Sequence, residues 1–481
     1  MSAPGTDAKF RAADLPWHAQ FWLGKADPRP FALFRILLGL TVCHDLFNYA
    51  RDLRAFLTDD GMLPRSVPSD PYAWGVFGLT GSFGPVAVLF GLGCCAVLAF
   101  TLGYRTRPAA AISWLFLTSL VSRNPYVTDG GDDLVRCLMF LCIFSDLSGC
   151  WSADVRLGRR APHAVSMLGP RFLQLHIALL YFCAARLKFR KGWLTQNVIF
   201  QCLQLTGFAR PPGHLLMHSP LLCRLTTVTV LGFEFAFAFL AFSPVKRNLS
   251  RLFAVGVGAA VQVGILLTMR VGVFTEAMLS SMALFACPEW FDYVAKKANL
   301  SLGTNWSSLL EQPQKTWQDL RAALGQGLVL ALLLCNFVRL AWGPFMGSHI
   351  HQPRWFSDSG RWLWLDQPFG LFDVVYPIPR WYAPGTTAAG THVDTLAAAV
   401  PDLVPAVRWR FSRWYKFTFK ERERPFHFPE LSSFICRAYA ENTGTRLREF
   451  TLFEELTPPR LPGGAVPVPE TRERWHQVCV E

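Results

Sequence analysis

The chain has 481 residues, 51% of them hydrophobic and only 17% charged, with a mean hydropathy of +0.25. A soluble domain carries about 25% charged residues, so the deficit and the long uncharged runs exclude a soluble enzyme and point to a polytopic membrane protein. The net charge of +13 does not imply nucleic acid: from residue 343 onward 16 Lys/Arg meet 15 Asp/Glu, and the excess lies in short loops of the apolar part, as the positive-inside bias places it.

In chain order, residues 1–29 carry charges and prolines and no apolar core, so they predict a cytoplasmic N-terminal segment without a cleavable signal peptide. Apolar runs predict spans over 30–48, 85–104, 108–122, 134–150, 172–189, 222–243, 252–269, 271–287 and 325–342. Arg136 and Asp146 interrupt the fourth, and only Arg270 separates the seventh from the eighth, so the count is eight or nine. Lys and Arg concentrate in the loops that fall inside when the N-terminus is cytoplasmic; nine spans then put the tail outside.

From 343 the composition turns to prolines and aromatics among polar residues. The alternation in RWRFSRWYKFTF (408–419) predicts strands, and ELSSFICRAYAENTG (430–444) predicts a helix stopped by Gly444. The expected fold is an all-α polytopic membrane domain over 30–342, a small α+β exocytoplasmic tail domain over 343–462, and an extended proline-rich end over 463–481. Most of the thirteen cysteines lie in apolar segments and read as buried hydrophobes. Cys436 and Cys479 pair if the tail faces an oxidising compartment.

Ionisable residues inside a bilayer are costly and face a polar cavity or one another. Here they are Arg35, His44, Asp45, Arg136, His176, Arg186, Lys188, Glu234, Arg270 and Glu276. For most, interhelical ion pairing or snorkelling is the plainer role. Lys188 closes the apolar run LQLHIALLYFCAARLKF. Snorkelling is one reading of it. The other is a lysine in an apolar pocket, where burial disfavours the ammonium and makes a free amine available as a base, with Arg186 acting in the same direction. Glu234, within VLGFEFAFAF, is either the partner of a cation on a neighbouring helix or a proton carrier. RNPYVTDGGDDL (123–134) reads as a turn that starts a helix with Asp as N-cap rather than as a cation site, and no metal is indicated. There is no CxxC, P-loop, HExxH or GxSxG, and the glycines near 254–260 lack GxGxxG spacing.

Five segments occur together and in order: FALFRILLGLTVCHDLFNYARDLRAFLTDDGMLPRS (31–66), NPYVTDGGDDLVR (124–136), WSAD (151–154), LLYFCAARLKFRKGW (179–193) and VGVFTEAMLSSMALFACPEWF (271–291). Over roughly residues 16–292 the chain resembles the horizontally transferred transmembrane (HTTM) family, whose best-known member is vitamin K-dependent gamma-glutamyl carboxylase. The resemblance implies reduced vitamin K (a menaquinol or other naphthoquinol), O₂ and CO₂ as co-substrates, and a protein or peptide as the acceptor. In the family carboxylase oxygenation of the quinol generates the strong base that removes a glutamate γ-proton, and a lysine within Y-F-x-A-x-x-x-K-x-x-x-x-W initiates the reaction. Tyr181, Phe182, Ala184, Lys188 and Trp193 match that spacing, which implies that Lys188 is catalytic. Where the carboxylase has two histidines this chain has Gly131 and Gln262, and a tail of about 140 residues replaces the large lumenal domain.

The function expected is thus a carboxylase-like, lyase-type modification coupled to a quinone. Lys188 is its base, with Arg35, Asp45, His176, Arg186, Trp193, Glu234 and Gln262 as supporting candidates. It calls for a lipophilic cavity near the outer end of the 172–189 helix. The alternative is a non-catalytic membrane partner or assembly factor whose aromatic-rich tail is the binding module. A transporter is disfavoured by the lack of repeats or paired broken helices.

Overall fold

The computed structural model describes residues 15–67, 70–190, 192–205, 207–299, 327, 354–363, 365, 377–403, 411–423 and 427–479. The predicted span 325–342 lies outside the described residues apart from Gly327.

Every other predicted span is met by helix. In chain order these are α1 (Arg29–Ala50), α2 (Phe83–Leu102), α3 (Thr106–Arg123), α4 (Gly130–Ile143), α5 (Leu168–Arg190), three short helices α6 (Trp193–Gln196), α7 (Val198–Leu203) and α8 (Pro211–Met217), then α9 (Pro220–Ala241), α10 (Arg247–Thr268), α11 (Phe274–Met282) and α12 (Pro288–Lys297). Five of them, α1, α2, α5, α9 and α10, are long and apolar enough to cross a bilayer. The helix α3 keeps its 18 residues but has too polar a composition to count among them, while α4 and α11 have only 14 and 9 residues. The segment 271–287 is therefore a helix with a 3₁₀ extension (Ala283–Phe285) rather than a full span. Leu92 and Leu98 on α2, and Leu252, Phe253, Val263 and Leu267 on α10, are exposed, as a lipid solvent requires.

The start of α4 is a capping box: the Asp129 carboxylate accepts from the Asp132 N–H, and Asp132 Oδ2 accepts from the Asp129 N–H at 2.7 Å. This is the helix-starting turn expected of 123–134. Two family-like segments meet here. Gly272, at φ +66°, turns the chain between α10 and α11, and a Cβ there would stand 2.1 Å from Asp129 Oδ2.

In the tail, the strands β1 (Ile378–Tyr382), β2 (Pro384–Thr387), β3 (His392–Asp394), β4 (Leu447–Thr457) and β5 (Glu470–Val478) form one antiparallel sheet. Its central β4 pairs β1 and β2 on one edge and β5 on the other. The C-terminal stretch thus joins the sheet through Glu470–Val478. Helices α13 (Arg354–Trp362), α14 (Thr395–Ala399), α15 (Arg413–Glu423) and α16 (Phe428–Thr443) complete the tail. Gly444 caps α16 in the left-handed conformation, as its position predicts. A disulfide joins Cys436 on α16 to Cys479 beyond β5. The strand reading of 408–419 is corrected: 413–423 is helix, because Trp414 and Phe417 at i, i+3 face a common core, which local alternation does not reveal. The main apolar cluster runs from Phe34 and Leu38 in the membrane domain to Trp381, Ile435 and Leu452 in the tail, so the two parts share one core.

Candidate active site around Lys188

The helices α5 and α9 pack side by side, and α10 packs on α9. Lys188 lies near the C-terminal end of α5 and is 5% exposed. Its Nζ donates to Glu234 Oε1 of α9 at 2.5 Å, and Glu234 is itself 7% exposed. The same Nζ stands 4.6 Å from the ring centroid of Trp193, on α6 after the turn that ends α5. A carboxylate and an indole face are both groups that bind an ammonium. Two turns before Lys188, and so on the same face, Tyr181 accepts a hydrogen bond from Gln262 Nε2 of α10 at 2.9 Å. Its ring meets Phe233 and Phe237, which bracket Glu234 in α9, at 5.6 and 4.6 Å.

Two oxygens in this group have no hydrogen-bond partner among the described residues: Glu234 Oε2 and Gln262 Oε1, both in buried side chains. The arrangement therefore holds a cationic donor, an aromatic wall and two unused acceptors in an interior lined by Phe and Tyr. Chemically it can pass a proton between Lys188 and Glu234 and accept hydrogen bonds from hydroxyl groups. Among the described residues no group of three or more His, Cys, Asp or Glu has metal-binding geometry.

Of the residues singled out in the sequence, Trp193 and Glu234 each contact Lys188, and Gln262 bonds Tyr181, which packs on the phenylalanines beside Glu234. The others serve elsewhere. Arg35 donates to three backbone carbonyls, of Thr101 (3.3 Å), Leu147 (2.7 Å) and Trp151 (2.5 Å), and ties α1 to the ends of neighbouring segments. Asp45 pairs with Arg413 of the tail. His176 is buried higher on α5, and Arg186 is half-buried on another face from Lys188. His44 pairs with Glu276 at 2.8 Å, and Arg136 with Asp133 at 2.8 Å, both interhelical or local ion pairs of the plainer kind. Arg413 was invisible to sequence reasoning. It lies in a stretch whose alternation suggested strands, and its partners are 281 and 368 residues away.

A family signature described as HTTM domain matches residues 24–290, just over half of the chain. No curated protein and no solved structure matches.

Proposed function

The chain belongs to the HTTM domain family, and from that premise we propose that it carries out a vitamin K carboxylase-like, quinone-coupled modification in the membrane, with Lys188 as the base. The observation that carries this reading is that the Lys188 nitrogen ends inside the protein, between Glu234 and Trp193. A lysine that merely snorkels extends its nitrogen to the headgroup layer.

Reduced vitamin K with O₂ supplies, when bound, the oxidative drive that the family carboxylase uses, and CO₂ is the group added. Lys188 as a free amine accepts a hydroxyl proton. Glu234 stands where it can take the proton that leaves Nζ, across their 2.5 Å contact. Glu234 Oε2 and Gln262 Oε1 fit a ligand with hydroxyl donors, since each is a buried acceptor with no donor of its own among the described residues. Gln262, where the carboxylase has a histidine, orients the ligand together with Tyr181. The acceptor of the modification is a protein or peptide reached from the tail side. The Cys436–Cys479 disulfide suits an oxidising compartment on that side.

The test is a photoreactive naphthoquinol cross-linked to the protein in bilayer discs, with the labelled peptides mapped. Label on 179–193, 230–237 or 258–265 that an unlabelled naphthoquinol competes away supports the reading. Label confined to the exposed faces of α2 and α10 overturns it.

The alternative reading as a membrane partner rests on exposed tail aromatics such as Trp355 and Trp362. Trp381, Trp414, Tyr415 and Phe417, which gave the tail much of its aromatic character, are buried within the chain itself. That leaves the partner reading the weaker of the two.

A further inference from the structure

Four side chains of the tail, Arg413, Trp414, Tyr415 and Phe417, are buried against the membrane domain. Arg413 is 3% exposed. Its Nη2 bonds Asp45 of α1 and, at 2.9 Å, Asp132 of α4; its Nη1 bonds Asp132 at 3.1 Å and the Val127 carbonyl at 3.0 Å. The guanidinium lies over the Tyr49 ring at 3.6 Å. Asp45 and Tyr49 are four apart on α1, so one helix face supplies a carboxylate and an aromatic floor to the same guanidinium. Trp414 donates to Asp52 Oδ1 at 3.2 Å and packs on Phe56. Phe417 packs on Tyr126.

Tyr415 points to a different place. Its ring meets Phe208 edge-on at 5.4 Å and occupies the space left by Gly207, where a Cβ would fall 1.6 Å from Tyr415 Cζ. Tyr415 thereby joins a second apolar cluster, separate from the main core, that contains Trp193, Val198, Cys202, Phe208 and Cys223. Trp193 is the ring against Lys188. The same short helix thus holds an acidic socket with one residue and, two residues later, joins the cluster that contains Trp193.

We propose that Arg413 is a positioning residue: by filling the socket of Asp45 and Asp132 it fixes α15 so that Tyr415 packs against Gly207 and Phe208 and completes the apolar cluster that carries the Trp193 ring facing Lys188. The tail is then a built part of the membrane-domain site rather than an appended module. This holds whether or not Lys188 is the base of a quinone reaction. An empty socket leaves Asp45 and Asp132 buried without the guanidinium that bonds both of them.

Cysteine protection in the full-length protein in bilayer discs tests it, with maleimide labelling mapped residue by residue. Cys202 is buried in the second cluster, and Cys142 is buried in the main core as a control. Arg413→Gln is expected to label Cys202 at least tenfold faster than wild type while Cys142 stays protected. Arg413→Lys is expected to retain most of the protection, and millimolar guanidinium, but not sodium, is expected to restore it to Arg413→Ala. Gly207→Val, which leaves the socket intact and displaces Tyr415, is expected to expose Cys202 in the same way and serves if the Arg413 variants do not fold. Unchanged Cys202 labelling in Arg413→Gln and Gly207→Val overturns the proposal. So does exposure of Cys142 together with Cys202, which would make Arg413 a residue of global folding.

Discussion

Lys188 of α5 and Glu234 of α9, 46 residues apart in the chain, meet in a buried ion pair at 2.5 Å. Removing one partner of a buried pair leaves an uncompensated charge and costs about 3–5 kcal/mol, whereas replacing both with apolar residues is often neutral. Glu234→Gln is therefore expected to destabilise the protein by about that amount. Lys188→Met/Glu234→Leu is expected to recover most of the loss. Unfolding of the detergent-solubilised protein, followed for Lys188→Met, Glu234→Leu and the double variant, gives the coupling. Additive losses in the double variant would mean that the two groups are not paired.

The loop after α4 has its own pH dependence. His163 Nε2 faces Asp146 Oδ2 at 3.0 Å and Nδ1 faces the Ala161 carbonyl at 3.0 Å, so both ring nitrogens meet acceptors and the imidazolium is favoured. The hydrogen bond to Asp146 is the main cause that raises the His163 pKa above 6.5. Burial alone would raise Asp146, but the His163 hydrogen bond and charge, with Arg160, hold it well below the usual carboxylate range. The raised histidine contributes stability that is complete below about pH 6.5 and is lost as pH rises through its folded value. The depressed carboxylate contributes above about pH 4 and is lost only at strongly acidic pH. Histidine NMR of wild type and Asp146→Asn checks this. The variant is expected to return His163 towards 6.5, and an unmoved titration would show that Asp146 is not the cause.

Gly272 and Gly256 predict opposite signs. Alanine at 272 requires positive φ, at about 1–2 kcal/mol for an L-residue, and also drives a Cβ into the Asp129 carboxylate. Alanine at 256, inside α10 with nothing within 4 Å, is expected to stabilise by about 0.5–1 kcal/mol. Thermal melts of the two variants should move in opposite directions from wild type.

The Cys436–Cys479 bridge closes a loop with a sequence separation of 43. On the chain-entropy account such a loop contributes about 4 kcal/mol. Reductant, or Cys436→Ser, is expected to release β5 from the sheet. Limited proteolysis is then expected to cut within 458–469 before any cut in α1–α5. Equal protease resistance with and without reductant would show that the sheet holds β5 without the bridge.

Much of the membrane domain was legible because lipid imposes a simple rule: long apolar runs become helices, and all but one of the runs fall on described helices. What was not legible was their length in three dimensions. The segments 134–150 and 271–287 are apolar enough to read as spans, yet Phe144 and Ala283 end the α-helical parts early, since burial inside the bundle makes a segment apolar without making it cross the membrane. Lys188 and Glu234 were each visible as charges in apolar surroundings, but a sequence cannot say that two helices bring them together. Arg413 left no signal, because its partners are supplied by α1, α4 and the turn before α4, and its own segment imitates a strand pattern.

Oxygen-dependent epoxide formation from a reduced naphthoquinone by the purified protein, wild type beside Lys188→Ala, tests the central claim most directly and requires no knowledge of the final acceptor. The account predicts epoxide from the wild type and none above background from the variant, with the variant still folded as judged by protection of Cys142. Epoxide from Lys188→Ala at the wild-type rate, or none from the wild type, would contradict Lys188 as the base of a quinone-coupled reaction and leave its pair with Glu234 a structural contact between α5 and α9.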